Sequence, residues 1–237
     1  ADTKTYSRAH VPRLLFPLTR GYDFSKGYYA RVENDRLYGR LFRLFYTPLV
    51  RALDEGHEDD VVDYLASFRY ALAGEFAATS EVVRSLRAQR GWGLEIGTLG
   101  DAFEGAGFDG SAQVDLGQHE HDHRAVGGPQ GLGDMCSEVA TALFQVVEDA
   151  GLEPDYDRLR GRYQTVADRL VRQYETDAAF NGLDFDAASE REQVETYAEA
   201  VEPPTEDTRL PAWRDTDLDP ARVRGASDDG LERTGSR

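Results

Sequence analysis

Three features of this sequence place reactive side chains at a spacing that chemistry can use. Glu95 follows a glycine-flanked aromatic, Gly91-Trp92-Gly93, and His119, His121 and His123 stand at alternate positions. Arg36 follows Asn34-Asp35, a pair able to cap a helix. A carboxylate in a first helical turn is favoured by the helix dipole, and glycines behind it let it face a cavity. Histidines at spacing two on an extended backbone share one side, where imidazoles would ligate a divalent ion or donate to a phosphate. Such a metal needs a carboxylate from elsewhere in the chain. A cation in a first turn opposes the dipole, which favours an anionic partner for Arg36. Each feature also has a plain explanation: an idle helix carboxylate, a solvated polar loop, a solvated arginine.

The elements that must position these groups are legible in the periodicity. Ile96, Leu99, Phe103 and Ala106 form the stripe of a helix with Glu95 in its first turn. Ser111 to Leu116 alternates as a short half-buried strand, which Gly117 is expected to end before the histidines. Tyr22 to Arg31 is aromatic-rich and predicts a strand carrying Lys26. Leu37, Leu41, Leu44, Phe45 and Leu49 predict a helix starting at Asn34 or Asp35, with Arg36 and Tyr38 in its first turn. From Asp59, the residues Val62, Leu65 and Phe68 predict a short helix. It leads to YALAGEF (70–76), whose small residues permit close approach of backbone to a ligand or another segment. Thr79 or Ser80 then caps Glu81 to Ala88.

Beyond the histidines, Leu132 to Ala150 carries the wide apolar face of a long helix that Gly151 stops. Pro154 suits the first turn of the next helix, whose stripe is Leu159, Tyr163, Val166, Leu170 and Tyr174. Phe185 to Val201 is a weaker third. From Glu202 the chain becomes proline-containing and charged, an acidic tail expected to be disordered with Trp213 as a local anchor. The division expected is therefore 1–130, 131–201 as a helical extension, and 202–237 as the tail.

The 237 residues, 40% of them hydrophobic, suffice to bury a core. A single cysteine, Cys136, excludes an internal disulfide and fits a reducing compartment. No run approaches the ~18 apolar residues that a membrane-spanning helix needs, so a cytoplasmic protein without membrane contact is expected. The net charge of −17 repels nucleic acid. Lysine is nearly absent, with Lys4 and Lys26 against 25 arginines, and such an acidic, arginine-based surface fits a salt-rich cytoplasm. No internal repeat, Walker loop, GxSxG or CxxC pair is present.

The blocks DRLYGRLFRLFYTPLV, YALAGEF, GWGLEIGTL and AQVDLGQHEHDHR, in that order and separation, resemble the retaining glycosyltransferases that make glucosyl-3-phosphoglycerate and the related mannosyl-3-phosphoglycerate synthases. The likeness runs from about Ala1 to Gly151. It implies an α/β fold, the C-terminal, acceptor-binding part of a GT-A glycosyltransferase with a few strands and a helical C-terminal extension. It also implies that Ala1-Asp2 are the last two residues of a D-x-D motif, so that a nucleotide-binding half is expected upstream.

Residue by residue, the resemblance assigns Asp2 and His121 to Mg²⁺ or Mn²⁺, a donor set of oxygen and imidazole suited to a hard cation. Glu95 corresponds to the carboxylate that holds the donor sugar's hydroxyls, with Trp92 beside it in place of tyrosine. Leu72 corresponds to the residue whose backbone carbonyl lies near the anomeric carbon, and retention is attributed to front-face attack without a covalent nucleophile. Arg36 corresponds to the arginine that binds the acceptor's phosphate, a task suited to a bidentate guanidinium. Tyr38 replaces a threonine and His123 an asparagine at the acceptor, and His119 replaces an arginine near the donor diphosphate. The implied partners are a nucleoside-diphosphate hexose, glucose or mannose, and 3-phosphoglycerate, with a homodimer through the long Leu132 to Ala150 helix. Two other readings stay open: the same fold with a lipid phosphate or glycan as acceptor, and an inactive fragment that binds only metal or phosphate.

Overall fold

A computed structural model describes residues 4–30, 32–33, 36–55, 59–120, 128–204, 206–219 and 221–227. The chain opens with α1 (His10–Leu15), a 3₁₀ turn over Pro17–Arg20 and Gly21 in the left-handed region, φ 92°. It then enters β1 (Phe24–Ala30) and a small hairpin of β2 (Val32–Glu33) and β3 (Arg36–Leu37). A π-helical segment, Leu41–Tyr46, runs directly into α2 (Thr47–Asp54), followed by α3 (Asp60–Ala66), β4 (Phe76–Ala78) and α4 (Ser80–Ser85). Next come α5 (Leu94–Ala106), β5 (Ser111–Gln118), α6 (Gly128–Asp149), α7 (Tyr156–Asn181) and α8 (Ala187–Ala198).

β1 is the middle strand of a three-stranded sheet, antiparallel to β4 and parallel to β5. A strand flanked on both sides and covered on both faces reads as a nearly continuous buried run, and only Ala30 at its end is exposed. Leu14 of α1 packs with Tyr29, Tyr70 and Leu116, whereas Phe24 joins a large core shared by the π-helical segment and α2 to α8. Residues on both sides of position 130 contribute to that core, so the helical extension lies against the same body as the sheet.

Three helix starts obey the sequence. Asp59, Asp155 and Asp186 each accept a backbone N–H in the first turn that follows, satisfying donors that no helical carbonyl can reach. Pro154 therefore precedes the cap of α7 and is not in its first turn. Thr79 precedes α4 without a capping side-chain bond.

The helix expected from Asn34 or Asp35 is corrected. Arg36 and Leu37 pair with Glu33 and Val32 as a strand, and helical structure begins only at Arg40, after Gly39 at φ 80°. A left-handed residue cannot continue a helix, so the apolar stripe from Leu41 onward belongs to a separate element. Inside that element Pro48 has no N–H to offer the Leu44 carbonyl four residues back. The Tyr163 hydroxyl donates to that carbonyl instead, at 2.7 Å. Thr47 N–H meanwhile reaches back five residues to Phe42 O, the π-helical pattern.

Two further expectations change. β5 does not stop at Gly117; it continues to Gln118 through an irregularity in its pairing with β1, Gly117 adopting φ 85°. The stretch after Glu202 was expected to be disordered, yet part of it docks. Leu210 N–H bonds Ala88 O at 3.0 Å, Gln145 Nε2 donates to Glu206 O at 3.0 Å, and Ala212 is buried. Arg209 supplies the reason, pairing with Asp149 at 2.6 Å on α6 and with Asp207 at 2.7 Å. No helix among the described residues is long and apolar enough to cross a membrane.

Candidate active site

The candidate site is built around the loop between α3 and β4, residues 70–75. Its shape is imposed by β1. Gly27 N–H donates to Glu75 O at 2.8 Å, a close approach possible because a Cβ on Gly27 would lie 2.5 Å from Leu116 Cδ1 and 3.2 Å from that same oxygen. One residue earlier, Lys26 is only 1% exposed, and its Nζ donates to Ala73 O. Strand alternation puts Lys26 on the face of Phe24, toward the helices. Burial pushes the Lys26 ammonium down to about 8, while the carboxylates of Glu95 and Glu75 act in the opposite sense.

Glu95 approaches this loop from α5, and Glu75 is the loop's own last residue. Glu95 stands in the first turn of α5, partly buried, and a Cβ added to Gly74 would lie 3.7 Å from its Oε1. Glu75 accepts from the Tyr6 hydroxyl at 3.2 Å, and its Oε2 is buried with no hydrogen bond to a described residue. Burial, then Glu75, raise the Tyr6 phenol. One ammonium thus sits among two carboxylates and a backbone carbonyl. Such a set can accept hydrogen bonds from a polyol and present a carbonyl dipole to a centre where positive charge develops.

α5 is held in place by glycine contacts. A Cβ on Gly93 would lie 2.5 Å from Ala142 Cβ and 2.9 Å from Glu138 O, so only glycine lets the α5 N-terminus lie directly on α6. Trp92 N–H donates to Glu138 Oε2 at 2.6 Å, leaving its ring 54% exposed beside Glu95.

Of the residues singled out in the sequence, Leu72 lies in the 70–75 loop, half-buried, and shares it with the contacts to Lys26, Glu75 and Glu95. Arg36 is in β3 and Tyr38 immediately follows it, half-buried, its carbonyl accepting from Arg43 Nε at 3.1 Å. His119 is enclosed. It is 3% exposed and stacked on Tyr29 at 3.9 Å between ring centroids. Tyr29 in turn packs on Tyr70, and Tyr70 on Phe42. The extension of β5 to Gln118, opposite Ala30, brings this imidazole into the aromatic cluster. Asp2, His121 and His123 lie outside the described residues. Among the described residues there is no group of three His, Cys, Asp or Glu able to hold a metal.

Curated proteins of known name are similar to this chain over most of its length. A glucosyl-3-phosphoglycerate synthase of Methanococcoides burtonii is 35% identical over 231 residues, covering 90% of this chain. One of Persephonella marina is 37% identical, covering 84%. The chain is a relative of the glucosyl-3-phosphoglycerate synthases. It spans about half the length of these two synthases, 57% and 52%. A crystal structure of the Mycobacterium tuberculosis glucosyl-3-phosphoglycerate synthase with Mn²⁺, uridine-diphosphate-glucose and phosphoglyceric acid matches with a TM-score of 0.52. Identity there is 30%, over 65% of this chain and 49% of that one. A second, with Mg²⁺ and uridine-diphosphate, matches with a TM-score of 0.51, over 65% of this chain and 48% of that one. No family model matches the chain.

Against the synthase resemblance, the mixed α/β architecture is as expected. Sequence reading did not single out Lys26, Glu75 or Tyr6. The signal for Lys26 was present: one of two lysines in an arginine-rich chain, at an interior position of a strand with no polar face. Glu75 lay inside the YALAGEF block but carried no periodicity of its own, and Tyr6 is 69 residues from it.

Proposed function

We propose that this chain is the acceptor and sugar side of a retaining glucosyltransferase, moving glucose from a nucleoside-diphosphate-glucose to the hydroxyl of 3-phosphoglycerate. The observation that carries the reading is the convergence of Glu95, Lys26 and the 70–75 loop in a relative of synthases named for that product. The M. tuberculosis crystal complexes with uridine-diphosphate-glucose and phosphoglyceric acid support both substrates.

In this reading Glu95 accepts hydrogen bonds from the glucose hydroxyls and Trp92 flanks the sugar. The Leu72 carbonyl faces the anomeric carbon, its dipole stabilising positive charge there as the bond to the diphosphate lengthens. Arg36 binds the acceptor's phosphate, with Tyr38 and His123 beside it. Because the acceptor hydroxyl attacks from the side of the departing diphosphate, the new C1–O bond forms as the old one breaks. The hydroxyl proton passes to the leaving group. Asp2 and His121, an oxygen and an imidazole donor, suit Mg²⁺ or Mn²⁺, which when bound neutralises charge on the diphosphate. His119, stacked on Tyr29, stands near the donor diphosphate in this reading.

The test is transfer by the intact polypeptide that contains this chain. With Mn²⁺ and each common nucleotide sugar, 3-phosphoglycerate is expected to yield an α-linked glucoside, its anomeric configuration read by proton NMR. GDP-mannose, glycerol 3-phosphate, a lipid phosphate and a glycan are comparison arms. A product only with one of these last three would replace the acceptor, and mannose transfer would replace the sugar. Absence of transfer in every arm would overturn the reading.

A further inference from the structure

The carboxylate of Glu190 is buried between two arginines of a distant element. Glu190 stands in the first turn of α8 and is 4% exposed. Its Oε1 lies 2.8 Å from Arg40 Nε and its Oε2 lies 3.0 Å from Arg43 Nη1. Arg40 also donates from Nη2 to Ser189 Oγ at 3.3 Å, and the Arg43 guanidinium lies 5.0 Å over the Tyr174 ring of α7. A buried ion cluster is a weak source of stability, because desolvation offsets much of its attraction. What it does supply is geometry: a planar guanidinium held at several points has one orientation.

That orientation reaches the acceptor strand. Ion-paired with Glu190 at Nη1, a charge contact and not a directed hydrogen bond, Arg43 donates from Nε to the Tyr38 carbonyl at 3.1 Å. Tyr38 is the residue at which the chain leaves β3, two positions after Arg36. The next residue, Gly39, has φ 80°, and a Cβ on it would lie 3.1 Å from the Tyr70 hydroxyl. Arg43 N–H bonds Gly39 O at 3.0 Å. The exit of the hairpin is thus clamped by one side chain, Arg43, within the π-helical segment. α8, far later in sequence, supplies the carboxylate paired with that side chain.

We propose that Glu190 is a positioning residue for acceptor binding: through Arg43 and the Tyr38 carbonyl, α8 sets where β3 delivers Arg36 and Tyr38. This rests on the reading that Arg36 and Tyr38 contact the acceptor. It makes the helical extension part of acceptor recognition.

The experiment compares Glu190→Gln, Glu190→Asp, Arg43→Lys and Arg40→Gln in the intact polypeptide, by steady-state kinetics and by hydrogen exchange of the peptide spanning 36–46. Glu190→Gln is expected to raise the KM for 3-phosphoglycerate about tenfold, with kcat and the donor KM within about twofold. Glu190→Asp keeps the charge and should recover most of that loss. Arg43→Lys keeps a cation opposite Glu190 but lacks Nε, so it should repeat the Glu190→Gln effect and serves if that variant does not fold. Arg40→Gln frees Oε1 of Glu190 but leaves Arg43 in place, and should raise the acceptor KM less than Glu190→Gln does. Exchange in 36–46 should quicken about tenfold in the first and third variants, with α5 unaffected. Equal losses in kcat and both KM values, or unchanged exchange at 36–46, would overturn the proposal. If the wild type fails to use 3-phosphoglycerate, the acceptor reading fails instead, and the exchange result still decides whether Glu190 holds the hairpin.

Discussion

Lys26 donates to the carbonyl oxygen of Ala73, 47 residues later in sequence, and this bond joins the central strand to the loop on which the candidate site is built. The ammonium is buried within the field of Glu95 and Glu75, so it orients the Ala73 carbonyl and offsets the charge of those carboxylates.

Replacing Lys26 by Met removes both effects. Transfer is expected to fall by about 10²-fold in kcat, since the loop carrying Leu72 loses its anchor. With the ammonium lowered to about 8, wild-type kcat should also decline as pH rises through 8, as the group loses its proton. A stopped assay from pH 6 to 10 checks this, and a flat alkaline limb would remove Lys26 from the mechanism.

The same group has a signature in stability. Because its folded value lies below the ordinary 10.5, the unfolded chain binds more protons between about pH 8 and 10.5. The contribution of Lys26 to stability therefore rises with pH in that window, by at most about 1.4 kcal/mol per pH unit. Urea unfolding of wild type and Lys26→Met at pH 7, 8.5 and 9.5 should show their difference shifting toward wild type as pH increases.

Glu95→Gln keeps the size of the side chain and removes the charge facing Gly74. The expected cost is about 10² in kcat/KM, carried by kcat and the donor KM, with the acceptor KM nearly unchanged. Steady-state kinetics with each substrate varied in turn separate these terms. A loss confined to the acceptor KM would place Glu95 on the wrong substrate.

Gly93→Ala should act through packing. The new methyl group meets Ala142 Cβ and the Glu138 carbonyl, neither of which can swing away. Stability is expected to fall by about 1–3 kcal/mol, with a displaced α5 and reduced activity. Thermal unfolding by circular dichroism measures the first effect and the transfer assay the second.

Salt should stabilise the protein. At molar ionic strength the Debye length is about 3 Å, so repulsion across a surface with net charge −17 is screened. The melting temperature is expected to rise from dilute buffer to molar KCl. No rise would end the reading of the composition as an adaptation to salt.

How much of this was legible in the sequence differs from element to element. Asp59 capping α3, Glu95 in the first turn of α5 and Gly151 after α6 depend on contacts within about one helical turn. Such contacts are encoded by neighbouring residues, so periodicity and capping chemistry were enough. The helix expected at Asn34 failed because Arg36 and Leu37 took backbone partners across a hairpin, and Gly39 then reset the chain direction. His119 looked like part of an open row until pairing of β5 with β1 carried it onto Tyr29.

The sequence by itself determined the acidic, arginine-rich surface, the family resemblance and the elements that carry Glu95 and Leu72. Only the tertiary structure decided that Lys26 lies buried on the Ala73 carbonyl, within the field of Glu95 and Glu75, and that Glu190 reaches Tyr38 through Arg43. Local patterns report which face of an element is apolar. A buried charge is set by which distant element covers it and which partner that element brings, information spread over residues 47 and about 150 positions apart.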